Sequence, residues 1–200
     1  ASLQTRAIRD GDVYVLNGRK AFVTSGDVAE TIILFASTNP EQRSHGISAF
    51  IVERGTPGLS HGRPLQKMGM HCSSTVELVL EDCRVPVTNR LGDEGEGFKI
   101  AMQVLDVGRI GIAAQALGIA QAALEAASHY AMTREQFGRP IGGFEAVRWM
   151  LADTATETEA ARLLTYQAAR LKDAEQPFTT AASMAKLYAS RVAVTAADRA

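Results

Sequence analysis

Gly92-Asp93-Glu94-Gly95-Glu96-Gly97-Phe98 marks the point where the periodicity of this sequence changes. Three glycines punctuate the stretch, and its acids collect where a helix N-terminus would welcome negative charge. Before it, apolar residues alternate or run in short β-branched groups. After it they recur at helical spacing. The stretch therefore predicts a β-domain over residues 1–91 and a helical domain over residues 92–200.

Working back from the boundary, residues 76–80 alternate as a strand, and Arg84-Val85-Pro86 closes that series. Residues 32–36 and 47–52 are β-branched and apolar, and the polar connection over 37–46 suits a surface loop. Residues 5–9 and 12–16 flank Asp10-Gly11, a hairpin signal. Asn17-Gly18, the strongest short hairpin signal, is expected to turn residues 13–16 back onto residues 20–24. Short strands separated by turn residues predict an antiparallel barrel or sandwich. Working forward, residues 98–133 form a helix rich in Ala, Ile and Leu, broken by Pro140, Gly142 and Gly143. Residues 144–173 form a second, with Val147, Leu151, Thr158, Ala161 and Ala168 along one stripe. Gln176-Pro177 breaks the pattern before a third helix, over 178–200. The fold class is thus α+β: an antiparallel β-domain followed by an antiparallel bundle with three long helices.

Composition narrows the function. The 200 residues are 46% hydrophobic and 22% charged, ordinary for a globular chain. A net charge of −1 gives no field to attract a nucleic-acid backbone or an anionic membrane, so neither is an expected partner. Residues 110–127 are apolar but interrupted by Gln115, Gln121 and Glu125, and read as a buried bundle helix and not a membrane span. Cys72 and Cys83 are expected to be reduced thiols, and the four histidines lack metal-ligand spacing. No basic-apolar leader opens the chain. It begins at Ala1 without Met and closes inside a helical pattern, so a piece of a longer polypeptide is expected.

Dinucleotide, Walker, nucleophile-elbow and zinc-protease signatures do not occur. Taken by itself, Phe22 reads as a core aromatic and Thr24 as a strand end. Asp106 and Arg109, three apart on a helix, read as an exposed pair worth a few tenths of a kcal/mol, roughly.

Considered in series, these stretches resemble the acyl-CoA dehydrogenase family. Leu16-Asn17-Gly18-Arg19-Lys20-Ala21-Phe22-Val23-Thr24-Ser25-Gly26 is similar to the family's Leu-Asn-Gly-x-Lys-x-Trp-Ile-Thr-Asn-Gly. Gly46-Ile47-Ser48-Ala49-Phe50-Ile51-Val52-Glu53, Lys67-Met68-Gly69, Glu81-Asp82-Cys83-Arg84-Val85-Pro86 and the boundary stretch follow in the family's order. Leu105-Asp106-Val107-Gly108-Arg109 and Arg134-Glu135-Gln136-Phe137-Gly138-Arg139-Pro140 complete the series, which covers essentially the whole chain.

The resemblance implies FAD as cofactor, with Phe22, Val23 and Thr24 lying against the flavin ring. It implies that Arg134 and Phe137 reach the pyrophosphate and adenine side of an FAD held mainly by a neighbouring subunit, hence a homo-oligomer, dimer or tetramer, with shared sites. Asp106, Val107, Gly108 and Arg109 are implied to contact the acyl-CoA substrate, closest to the short-chain members. Asp106 would meet the pantetheine and Gly108 and Arg109 the acyl end.

The implied reaction is α,β-dehydrogenation in fatty-acid β-oxidation, in a bacterial cytoplasm or a mitochondrial matrix, with an electron-transferring flavoprotein as the family's common acceptor. The family's base is a Glu carboxylate, carried by a minority of members at the position of Gly108. Gly108 is not a base, so no catalytic residue is assigned, and the Glu is expected beyond Ala200. Phe22 stands for the usual Trp, and Glu145 for a Gln that bonds the diphosphate region. The latter puts a negative charge near phosphates unless Arg148 or Arg134 offsets it or Glu145 turns to solvent. Acyl-CoA oxidase, nitroalkane oxidase and a non-catalytic oligomerisation module remain open on the same scaffold.

Overall fold

The computed structural model describes residues 3–200, which fall into two compact units meeting in sequence at Met102/Gln103. The first contains a seven-stranded sheet. Its strands are β1 (Arg6–Asp10), β2 (Val13–Thr24), β3 (Thr31–Ser37), β4 (Ile47–Glu53), β5 (Leu59–His61), β6 (Thr75–Pro86) and β7 (Arg90–Leu91), in the order β5-β6-β2-β1-β3-β4-β7. Neighbours are antiparallel except β1 and β3, which meet in parallel through Arg6 and Ser37. Alternation does the sorting. Tyr14 and Leu16 of β2, Val76, Leu78 and Leu80 of β6, and Phe50 and Val52 of β4 face one core. Each such burial stabilises by about 1.5–3 kcal/mol. Tyr14 and Phe50 pack edge to face with centroids 4.9 Å apart. The Tyr14 hydroxyl donates to Glu94 Oε2 at 2.8 Å and accepts from Arg90 Nη1 at 3.1 Å.

Asn17-Gly18 is not a hairpin. β2 runs through it as one twelve-residue strand, and the expected turn is replaced by a bulge in which Glu81 and Asp82 of β6 oppose the single Asn17. The reason lies in distant partners. The Asn17 side chain accepts from the Asp82 N–H at 2.9 Å and donates to Asp82 Oδ1 at 3.1 Å. Gly18 has φ +138°, and a Cβ there would lie 2.8 Å from the Thr5 Cα. The residue pair serves close approach and left-handed geometry, as in a turn, but here within a ladder. A second bulge follows between Lys20 and Val23. Asp10-Gly11 does lie at a hairpin, since Asp10 pairs with Val13.

The boundary glycines have steric causes. A Cβ on Gly95 would sit 2.4 Å from the His45 carbonyl oxygen, and one on Gly97 would sit 2.7 Å from the Ser48 carbonyl carbon. The Gly95 N–H donates to Ser48 Oγ at 2.9 Å. Glu96 receives the Asp93 N–H, which with Lys99 holds its carboxyl below the usual range.

Helix α1 (Gly97–Thr133) starts in the first unit and runs through the second, which also holds α2 (Glu145–Asp173), α3 (Thr179–Arg199) and a hairpin of β8 (Glu135–Gln136) and β9 (Arg139–Pro140). Arg162 bonds Gln121 at 2.8 Å while Met150 and Thr154 lie by Ala123 and Ala127, and Arg199 bonds Glu157 at 3.1 Å across the short 174–178 connection, so α2 runs antiparallel to both other helices. The core here is small-sided: Ala113, Ala116 and Ala120 of α1, Ala161 and Ala168 of α2, and Ala182, Ala185, Ala189 and Ala193 of α3. Thr154, Thr158 and Thr165 are buried in α2 and return their hydroxyls to the carbonyls one turn back at 2.7–2.8 Å. That satisfies a hydroxyl in an apolar seam.

The expectation of a buried bundle helix over residues 110–127 holds for one face only. Ala113, Ala116, Leu117 and Ala120 are buried, while Ile112 and Ile119 stand half exposed, because the second unit covers α1 on one side only. By length and composition alone α1 is long and apolar enough to cross a membrane, a property that core helices of soluble proteins share.

Candidate functional site

Phe22, Val23 and Thr24 end β2. Ala21 and Phe22 together oppose Glu77, and at this bulge Phe22 has φ +55°. A bulky residue in the left-handed region is strained by about 1–2 kcal/mol. The consequence is orientation: Phe22 is 78% exposed and not a core residue. Val23 packs on the sheet core, and Thr24, paired with Thr75, is exposed. The strand end thus presents an aromatic ledge with a hydroxyl two residues on, backed by a rigid core. Lys20, just before the bulge, reaches across to the Phe35 carbonyl at 2.5 Å, and burial pulls its ammonium down to about 8. Next to the ledge, Ser25, Asp27, Leu65, Lys67, Cys72 and Ser74 line a cleft of about 440 Å³. Its polar groups engage one another. Ser74 donates to Asp27, holding that carboxyl below its ordinary range, and Lys67 donates to the Ser73 carbonyl.

In the second unit, Asp106, Val107, Gly108 and Arg109 occupy one turn of α1. Asp106 is largely enclosed, with its side chain 18% exposed against 35% for Arg109. Arg109 Nη1 bonds Asp106 Oδ1, and Thr179 Oγ1 donates to Asp106 Oδ2 at 2.6 Å. The pair is therefore not the solvated surface pair that its spacing alone suggests. Val107 and Gly108 face outward, and a Cβ on Gly108 would meet nothing within 4 Å.

Arg134 and Phe137 belong to the β8–β9 hairpin. The turn residues Phe137 and Gly138 have φ +52° and +76°, as a primed two-residue turn requires. Phe137 is 92% exposed and touches the Phe144 ring edge on, at 6.1 Å. Arg139 lies over that ring at 4.2 Å. The Arg134 main chain is fixed by bonds to Tyr130 and Ile141, and its guanidinium makes no ion pair among the described residues. Glu145 is exposed in the first turn of α2, where the helix dipole favours a carboxylate.

Sequence reasoning missed Thr179 and the Lys20 anchor. Both act across long sequence separations, which local pattern does not encode.

The geometry defines a sheet unit with an outward aromatic ledge and a helical unit with an enclosed acid–arginine pair. Residues 1–83 match the family model for the acyl-CoA dehydrogenase middle domain, and residues 95–200 match that for the C-terminal domain. The short-chain-specific acyl-CoA dehydrogenase of Clostridium acetobutylicum is 52% identical over 191 residues, spanning 96% of this chain and 50% of that protein. The butyryl-CoA dehydrogenase structure from Megasphaera elsdenii superposes with a TM-score of 0.91 at 51% identity, covering 95% of this chain and 50% of its own. A prolyl acyl carrier protein oxidase, AnaB, superposes at 0.94 with 39% identity, covering 99% of this chain and 52% of its own. This chain belongs to the acyl-CoA dehydrogenase family, whose members are FAD-dependent flavoproteins. It spans about half the length of the curated relatives that it matches.

Proposed function

We propose that the full-length protein is an FAD-dependent dehydrogenase that oxidises short-chain acyl-CoA thioesters between the α and β carbons. The observation that carries this is Phe22, turned outward at a strained bulge with Val23 and Thr24 beside it. A flat cofactor ring needs an apolar wall and a few fixed polar groups, and the ledge fits both needs. Phe22 would cover the ring, and the Thr24 hydroxyl would bond its polar edge. Arg134 would supply a guanidinium fork suited to a diphosphate, and the exposed Phe137 an aromatic face for an adenine, both toward the FAD of a neighbouring protomer. Glu145 is exposed in the first turn of α2, from which its carboxylate would turn to solvent and away from the phosphates.

The bound flavin would supply the hydride acceptor for the β carbon. Asp106 would take the pantetheine arm, and Val107, Gly108 and Arg109 would line the acyl end, where the open space over Gly108 leaves room for substrate. The α proton would pass to a Glu carboxylate outside these 200 residues. Electrons would leave through an electron-transferring flavoprotein, and the protein would work as a homo-oligomer. The test is anaerobic titration of the purified full-length protein with butyryl-CoA. The flavin absorbance should bleach, and protein lacking a flavin spectrum, or with a spectrum unchanged by substrate, would refute the reading.

The likeness to an acyl carrier protein oxidase supports a second reading, electron transfer to oxygen. Peroxide released in step with substrate under air would establish it in place of the first.

A further inference from the structure

We propose that Thr179 is a positioning residue for acyl-CoA binding, acting through Asp106. This rests on the reading of Asp106 as a pantetheine contact. Thr179 is the first residue of α3, directly after its N-cap position, Phe178. Its hydroxyl crosses to α1, 73 residues away in sequence, and donates to Asp106 Oδ2 at 2.6 Å. The other oxygen, Oδ1, takes Arg109 Nη1. One carboxylate is thus gripped from both sides by side chains of two helices, in a setting that leaves it only 18% exposed.

The grip has a chemical consequence. An ionised carboxylate offers about four lone-pair directions. With one on each oxygen engaged, the two that remain point in fixed directions, ready for an amide N–H of an incoming pantetheine arm. The same plane fixes Arg109, so Thr179 sets the attitude of both. Without its hydroxyl the Asp106 side chain regains rotamer freedom, and that freedom must be lost again at each binding event. A water on Oδ2 would satisfy the oxygen without fixing the plane.

The experiment uses the full-length protein and free coenzyme A, a non-reacting probe that carries the pantetheine arm. Calorimetric Kd, the kcat and KM for butyryl-CoA, and the unfolding midpoint are compared for wild type, Thr179→Val, Thr179→Ser and Asp106→Asn. Thr179→Val is expected to raise the Kd for coenzyme A about tenfold. KM should rise in parallel, kcat should fall less than threefold, and the unfolding midpoint should stay within about 2 °C. Thr179→Ser, which keeps the donor, should restore Kd to within about twofold. Unchanged affinity in Thr179→Val, with Asp106→Asn weakened, would overturn the positioning role and leave the reading of Asp106 intact. Unchanged affinity in Asp106→Asn would overturn both. Equal weakening in Thr179→Val and Thr179→Ser together with a lowered midpoint would make the contact merely structural, and the proposal would fall.

Discussion

Replacing Gly118 by alanine should stabilise the helical unit of this 200-residue chain. Gly118 sits in the interior of α1, and a Cβ there meets nothing within 4 Å. Glycine in a helix interior costs about 1 kcal/mol relative to alanine, because more backbone freedom is lost on folding. With no clash to offset it, Gly118→Ala should recover about 1 kcal/mol. Unfolding of the three helices can be followed by circular dichroism at 222 nm in guanidinium. For a unit of this size the gain corresponds to a midpoint rise of roughly 0.3 M. Gly111, equally free of neighbours, should respond in the same direction, and the two changes should add because they lie well apart. A lowered midpoint for either variant would show that this face of α1 is tightly covered in solution, contradicting the open surface described above. Gly108→Ala should also stabilise the chain, but in the full-length protein it should weaken acyl-CoA binding, since its Cβ would enter the space assigned to the acyl end.

Tyr14→Phe should destabilise the sheet unit by about 1–2 kcal/mol in a urea titration, since it removes the bonds to Glu94 and Arg90 but keeps the ring contact with Phe50. Phe22→Gly should raise the stability of that unit by up to about 1 kcal/mol by relieving the left-handed backbone, while flavin content at purification falls. Unchanged flavin content would remove Phe22 from the cofactor wall. Lys20 should titrate near pH 8 in NMR of the methylated lysines. Because the folded pKa lies below the unfolded value of 10.5, the unfolded chain binds more protons between these limits, and stability should rise with pH from about 8 to 10.5. A midpoint above 10 would mean that the Phe35 carbonyl outweighs burial.

Much of the fold was legible because local chemistry and packing agree. An apolar β-branched run marked β4, alternation marked the first half of β6, Asp10-Gly11 marked a hairpin, and the glycines at 92, 95 and 97 marked the entry to α1. Asn17-Gly18 misled because its left-handed geometry serves a bulge as well as a turn, and only the distant Asp82 and Thr5 decide between them. The short strands β5 and β7 escaped for want of length. At the site, the family pattern pointed to Phe22, but nothing in a sequence tells a core phenylalanine from one held out by a bulge. Asp106 and Arg109 were visible as a pair. Their enclosure was not, since it depends on Thr179 arriving from another helix.

The seam between α2 and α3 closes on alanines and back-bonded threonines, so the spacing of the two helices is gauged by main chain and not by side-chain bulk. Such a seam has no give. Enlarging Ala185 or Ala189 to valine would have to push whole rods apart, because no pliable neighbour could swing aside. Any engineering for robustness must therefore work at the rods' ends and outer faces, leaving their line of contact as narrow as it is.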